Sequence, residues 1–158
     1  AVRWIYDEER LREELEQESR RARRHGRPLS ILLVRVEGFD ALQGRYGRFL
    51  AEQVLRQVAA RLDDAKRDTD FLGASGENGF VAILVEADAD GAARAEERLI
   101  AGLEAMELPR TDLPDLDLRL ACATATQPED GEDAAALLAS GEARLRDWTV
   151  GQEKAASA

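Results

Sequence analysis

The sequence predicts an α+β domain in which helices surround a mainly antiparallel sheet. Three observations carry this. Apolar runs of strand length and stretches of helical period alternate in the order β-α-α-β-β-α-β-α. Two of the strands are joined by a tight turn in which Gly76 and Asn78-Gly79 supply the backbone freedom. The 158 residues contain no internal repeat and no linker long enough to divide them, and are one domain's worth of chain.

Each element has a local reason. Residues 7–24 are rich in helix formers, with Leu11, Leu15 and Ala22 on the inward side, and Gly26 with Pro28 closes the segment. Within it an acidic stretch from Glu13 to Glu18 precedes the basic run Arg20-Arg21-Ala22-Arg23-Arg24-His25-Gly26-Arg27. That pattern reads as Glu-to-Arg i,i+4 pairing with cations near the helix C-terminus, rather than as a phosphate site. Residues 29–36 form a β-branched and leucine-rich strand, buried on both faces except at Arg35. Residues 47–66 repeat apolar side chains with helical period through Phe49, Leu50, Val54, Leu55, Val58 and Leu62. The hairpin strands lie near 70–75 and 79–85, and an alanine-rich amphipathic helix follows over 88–106, N-capped by Asp88 or Asp90. A loop with Pro109 and Pro114, a strand over 117–126 and a helix over 131–147 complete the pattern. Cys122 alternates with small residues and belongs to the core, and Trp148 covers that core from the last helix. Trp4 lies before the packed domain, and the small polar residues 152–158 fray.

Composition narrows the function. The chain is 44% hydrophobic but has no apolar run near the about 20 residues that cross a bilayer, so a soluble globular domain without membrane insertion is expected. The beginning of the chain is charged and carries no secretory signal pattern. One cysteine excludes an internal disulfide and fits a reducing compartment. A net charge of -10 argues against nucleic-acid binding, which needs a basic surface, yet two or three local arginines can still hold a small anion. His25 has no second histidine or cysteine near it in sequence, so a metal site there is not expected.

The hairpin turn Gly76-Glu77-Asn78-Gly79-Phe80 resembles the signature Gly-Gly-Asp/Glu-Glu-Phe of the GGDEF family of diguanylate cyclase domains. The segments Arg27 to Phe39, Tyr46-Gly47, Val54 to Ala59, Phe80 to Val85, Ala95 to Leu99 and Pro128 to Gly131 are similar to that family in order and spacing, so the resemblance covers roughly residues 10–150. It implies a five-stranded, mainly antiparallel sheet surrounded by helices, like the palm of nucleotide cyclases and polymerases. It also implies a connector helix over residues 1–26, a degenerate GGDEF domain over 27–151 and a tail over 152–158, as an output domain cut from a larger bacterial signalling protein in the cytoplasm.

Members of this family join two GTP molecules into cyclic di-GMP, with divalent ions held by an aspartate of the first strand and two acidic residues of the signature. Carried over position by position, those ligands fall on Arg35, Asn78 and Gly79. An arginine there reverses the charge offered to a cation and glycine offers no side chain, so the expectation is no metal and no enzyme activity. Glu37, two positions on from Arg35, pairs with it. The phosphate-contacting lysines are matched by Asp40 and Thr149, and the guanine-contacting asparagine and aspartate by Gln43 and Glu52.

A second site of the family is intact. Arg67-Asp68-Thr69-Asp70 matches its Arg-x-x-Asp inhibitory motif, and Arg98 matches the arginine of the following helix. The resemblance implies that Arg67 and Arg98 meet phosphate and base while Asp70 accepts from a guanine edge. The expected function is a cyclic di-GMP receptor whose partners are other domains of the same polypeptide and, with ligand bound, a second copy of the chain. The alternatives are a GTP-binding regulatory domain that tunes a phosphodiesterase, and a dimerisation scaffold without nucleotide.

Overall fold

A computed structural model describes residues 5–106 and 119–157, with residues 148–157 described in backbone alone. The expectations for Trp4, for the loop of Pro109 and Pro114, and for the side chains of Trp148 and Thr149 therefore lie outside the described residues. The chain runs β1 (Ile5–Tyr6), α1 (Glu8–His25), β2 (Leu29–Glu37), α2 (Phe39–Tyr46), α3 (Arg48–Ala65), β3 (Phe71–Ser75), β4 (Gly79–Val85), α4 (Ala89–Glu104), β5 (Arg119–Gln127) and α5 (Ala134–Ser157).

The five strands form one sheet in the order β1-β3-β4-β2-β5. β2 is the middle of the fold. It pairs antiparallel with β4 from Leu29↔Val85 to Arg35↔Gly79 and with β5 from Leu29↔Gln127 to Glu37↔Arg119. β3 and β4 form the expected hairpin, and only β1 runs parallel, to β3. The predicted mainly antiparallel sheet is therefore present, as a mixed one. β1 was not anticipated, because two residues are too short to show a strand period.

Alternation along β2 supplies both cores. Leu32, Val34 and Val36 face α3 and α4 and pack with Val54, Val58, Leu62 and Leu99. Leu29, Ile31 and Leu33 face α1 and α5 and pack with Leu11, Leu15, Leu137 and Leu145. A strand buried on both faces reads as an unbroken apolar run, as this one does.

The helix ends follow capping chemistry. Asp7 begins α1 by accepting from the Arg10 N–H at 2.8 Å, and Gly26 ends it in the left-handed conformation at φ 62°. Asp88, not Asp90, caps α4 through the Gly91 N–H at 2.8 Å. The pairing expected along α1 at i,i+4 is instead an i,i+3 bridge, Arg21 to Glu18 at 2.8 Å. α1 is pinned to the sheet by Ser19, whose hydroxyl donates to Gln127 Oε1 at 2.6 Å while Gln127 Nε2 returns a bond to the Ser19 carbonyl at 3.1 Å. α5 continues to Ser157, past the end at 147 that its periodicity marked.

Where α1 crosses β3 the two backbones approach closely at Gly73. A Cβ there would sit 2.6 Å from the Cβ of Leu11, an atom that cannot swing aside. Gly73→Ala should push α1 off the sheet and lower stability by about 1–3 kcal/mol. The fall in Tm should be several degrees in a thermal melt, and an unchanged Tm would contradict this packing.

Candidate functional site

Two clefts gather the residues singled out in the sequence. The first lies at the hairpin turn. β2 carries Arg35 directly opposite Gly79, and the Arg35 Nε donates to Glu37 Oε1 at 3.0 Å, as expected for that pair. Asn78 extends the ladder beyond the strand: its Nδ2 donates to the Val36 carbonyl at 2.8 Å, and the Val36 N–H donates to the Asn78 carbonyl at 2.8 Å. Gly79 has no room for a side chain without a backbone shift, since a Cβ would lie 2.9 Å from the Ser75 carbonyl oxygen and 3.0 Å from that of Val34. The Gly76 N–H donates to Glu8 Oε1 of α1 at 3.0 Å.

Arg35, Asn78 and Gly79 thus line one cleft of about 300 Å³, together with Glu8, Glu142 and Arg146. A guanidinium repels a divalent cation and a glycine offers it no side chain, so of these three side chains only the Asn78 Oδ1 is an oxygen of the kind such a cation takes. Among the described residues no three His, Cys, Asp or Glu side chains are grouped to hold one. Gln43 on α2 and Glu52 on α3 do not line this cleft, and Glu52 accepts from Arg48 Nε at 2.9 Å.

The second cleft, of about 340 Å³, opens between the α3–β3 turn and α4 and brings Arg67, Asp70 and Arg98 together. Asp70 organises it. Its side chain is only 2% exposed; Oδ2 accepts from the Arg67 N–H at 3.0 Å, and Oδ1 accepts from the Val85 N–H at 2.9 Å. One carboxylate therefore closes the turn before β3 and ties it to the end of β4. The Arg67 guanidinium is 56% exposed, lies 3.4 Å from Asp70 and also donates to the Val85 carbonyl. Arg98 crosses from α4 to the last turn of α3, where Nε and Nη2 donate to the Ala65 carbonyl at 3.1 and 2.8 Å.

Arg94 also lines this cleft and was missed in the sequence. It is exposed one turn before Arg98 and makes no hydrogen bond or ion pair among the described residues. The i,i+4 spacing of two arginines on an amphipathic helix was the available signal. Three arginines therefore line one cleft, where Asp70 is engaged by main-chain N–H groups, Asp88 by its cap, and Glu86 is the third acid. Such an arrangement suits a phosphate-bearing ligand, because each planar fork can hold two oxygens or stack on a base. Cys122 lies in the core as expected, and burial, with a smaller contribution from Glu96, pushes its thiol up to about 12.

Compared with known proteins, the chain matches the family described as "Diguanylate cyclase, GGDEF domain" over residues 5–149. It is similar to the diguanylate cyclase DosC of Escherichia coli strain K12, 29% identical over 104 residues, which are 66% of this chain and 23% of that protein. The chain thus spans about a quarter of the length of that curated relative. Among solved structures, the GGDEF domain of TpbB (YfiN) from Pseudomonas aeruginosa resembles it with a TM-score of 0.83 at 21% identity, over 93% of this chain and 86% of that one. The GGDEF domain of DgcB from Caulobacter crescentus in complex with c-di-GMP gives a TM-score of 0.83 at 17% identity, again over 93% and 86%. These two likenesses are of fold.

The expectation that the chain is not an enzyme is corrected by these matches. The matching family is one of diguanylate cyclases and DosC carries that name. Three substituted positions describe what those side chains cannot coordinate; they do not remove the chain from an enzymatic family.

The geometry of Asp70 makes a separate prediction. Asp70→Ala leaves the N–H groups of Arg67 and Val85 without their acceptor, which should cost about 1–3 kcal/mol of stability. Chemical denaturation should show this loss with no ligand present, and a parent-like midpoint would contradict the bridging role.

Proposed function

The chain belongs to the GGDEF family, and from that premise we propose that it binds cyclic di-GMP in the arginine cleft and acts as a cyclic di-GMP-responsive domain of a larger bacterial signalling protein. The observation that carries this reading is the convergence of Arg67, Arg94 and Arg98 around the buried Asp70. Cyclic di-GMP carries two phosphodiester anions and two guanine faces. Guanidiniums meet both kinds of surface, bonding phosphate oxygens through the fork and stacking on the base through the plane. The cations come from side chains, so this binding needs no metal. The c-di-GMP complex of the DgcB GGDEF domain supports the choice of ligand by fold analogy.

Ligand acts here as a population shift, favouring poses of α1 and of neighbouring domains that leave the cleft open to it. The partners of this reading are cyclic di-GMP, other domains of the same polypeptide and a second copy of the chain drawn in by ligand. Nucleic acid is not among them, at a net charge of -10, and no described helix is long and apolar enough to cross a bilayer, so any membrane tether of this reading belongs to other domains. A cytoplasmic setting belongs to the same proposal.

Isothermal titration of the chain with cyclic di-GMP tests the assignment. Arg67→Ala and Arg98→Ala should each weaken binding by about ten- to a hundredfold, the scale of a lost charge-assisted contact. Arg94→Ala should weaken it less and flatten its salt dependence, since Arg94 has no partner among the described residues and contributes mainly charge. Parent-like affinity in both Arg67→Ala and Arg98→Ala would overturn the site.

A further inference from the structure

Glu86 follows directly on the clamp made by Asp70 and Arg67. The N–H of Val85 is held by Asp70 and its carbonyl by Arg67, and the chain then turns at Glu86 with φ 57°. Glu86 is the one non-glycine residue with positive φ among those described. A left-handed backbone is unfavourable for a glutamate, so the surrounding bonds must over-determine it.

That turn places an acid on the wall between two arginine-lined clefts. Glu86 lines the arginine cleft beside Arg67, Arg94 and Arg98. It equally lines a second cleft of about 220 Å³ at the end of α1, where Arg21, His25 and Arg27 stand over Ala22, Pro28 and Leu29. Across this wall the Arg27 Nη1 bonds Glu86 Oε1 at 3.1 Å, and both side chains are more than half exposed. An exposed ion pair of this kind contributes little to stability. Its effect on a charged ligand is another matter. Of the acids lining the arginine cleft, Asp70 is buried under main-chain donors and Asp88 is held as a helix cap, while Glu86 bonds only an exposed arginine outside it.

We propose that Glu86 is a built-in competing anion that lowers the affinity of the arginine cleft for phosphate-bearing ligands, and that Arg27 sets how strongly it does so. This inference rests on the reading of that cleft as a ligand site. A carboxylate on the rim repels a dianionic ligand, and Arg27 offsets part of that repulsion. Both effects act through solvent and weaken with salt. Occupancy of the cleft is thereby linked to the C-terminal end of α1, which carries Arg27's neighbours Arg23, Arg24 and His25.

The test uses two probes, cyclic di-GMP and inorganic pyrophosphate, titrated into the parent chain, Glu86→Gln, Glu86→Gly, Arg27→Ala and the Arg27→Ala/Glu86→Gln double variant. Arg67→Ala defines which binding belongs to the cleft. Glu86→Gln removes the charge and keeps the shape. Glu86→Gly also removes the left-handed strain, so at least one variant stays folded. Both should bind either probe about three- to tenfold more tightly at low salt, with the gain shrinking at high salt. Arg27→Ala should weaken binding about two- to threefold when Glu86 is present and leave it unchanged in the double variant.

Unchanged or weaker binding of pyrophosphate and cyclic di-GMP in both Glu86 variants at low salt would overturn the inference. An equal effect of Arg27→Ala in both backgrounds would remove Arg27 from it. If pyrophosphate follows the expected pattern while cyclic di-GMP binds no variant, Glu86 stands and the cyclic di-GMP reading falls. If neither probe binds parent or variant, both fall.

Discussion

The fold depends on β2 being paired along both edges and buried on both faces. Seven consecutive residue pairs join it to β4 and nine to β5, so its register cannot slip without unpairing two neighbours at once. A shift of one residue would also exchange the Leu32, Val34 and Val36 face with the Leu29, Ile31 and Leu33 face, moving each set into a core shaped for the other. Because the strand is fixed, so is whatever stands at its exit. Arg35 has to face Gly79 across the ladder, and the Asn78 bracket to Val36 carries the same register into the turn.

Asp70 does for the opposite end of the hairpin what Asn78 does for the turn. β3 and β4 are joined at Gly76 to Gly79, but at their far ends nothing in the hairpin itself holds the α3–β3 connection to the end of β4. Two partly buried hydrogen bonds accepted by one carboxylate make that link, joined by the Arg67 side chain on the Val85 carbonyl. Removing an acceptor from main-chain donors costs more than the net worth of the bonds to the extent that the donors stay shielded from water. The Arg-x-x-Asp spacing therefore has a structural reason as well as a chemical one: Asp70 can hold the Arg67 main chain only because it lies three residues on, the distance at which a turn brings its carboxylate back to that N–H.

This dual use explains what could be read from the sequence and what could not. The apolar run of β2, the Gly76 and Asn78-Gly79 turn, the cap at Asp88 and the end of α1 at Gly26 are local signals, and each appears where its residues stand. β1 and the i,i+3 choice of Arg21 are not local. The first exists because Leu72 and Gly73 leave a free strand edge, and the second involves a Glu18 on the buried side of α1, where burial raises its carboxyl above the usual range against the opposing pull of Arg21. Arg94 carries a spacing signal that has meaning only because α4 lines the same cleft as the α3–β3 turn. The expectation of no enzyme failed for a different reason. Coordination chemistry at Arg35, Asn78 and Gly79 is a statement about three side chains, whereas the match over residues 5–149 is a statement about the whole domain.

Net charge misleads in the same way when it is taken as a property of every surface. At -10 the chain repels an anion at long range, but screening limits that repulsion to roughly 8–10 Å at ordinary ionic strength. Within that distance the balance is set by which acids are already engaged. Asp70 and Arg67 balance one another and Asp88 is held at the start of α4, so among the residues lining the cleft the charge of Arg94 and Arg98 is opposed chiefly by Glu86. An acidic protein can in this way keep a cationic cleft without a basic surface. The residue that tunes such a cleft is then neither a ligand contact nor part of the core, but an acid on its rim whose own counter-ion stands on the helix behind it.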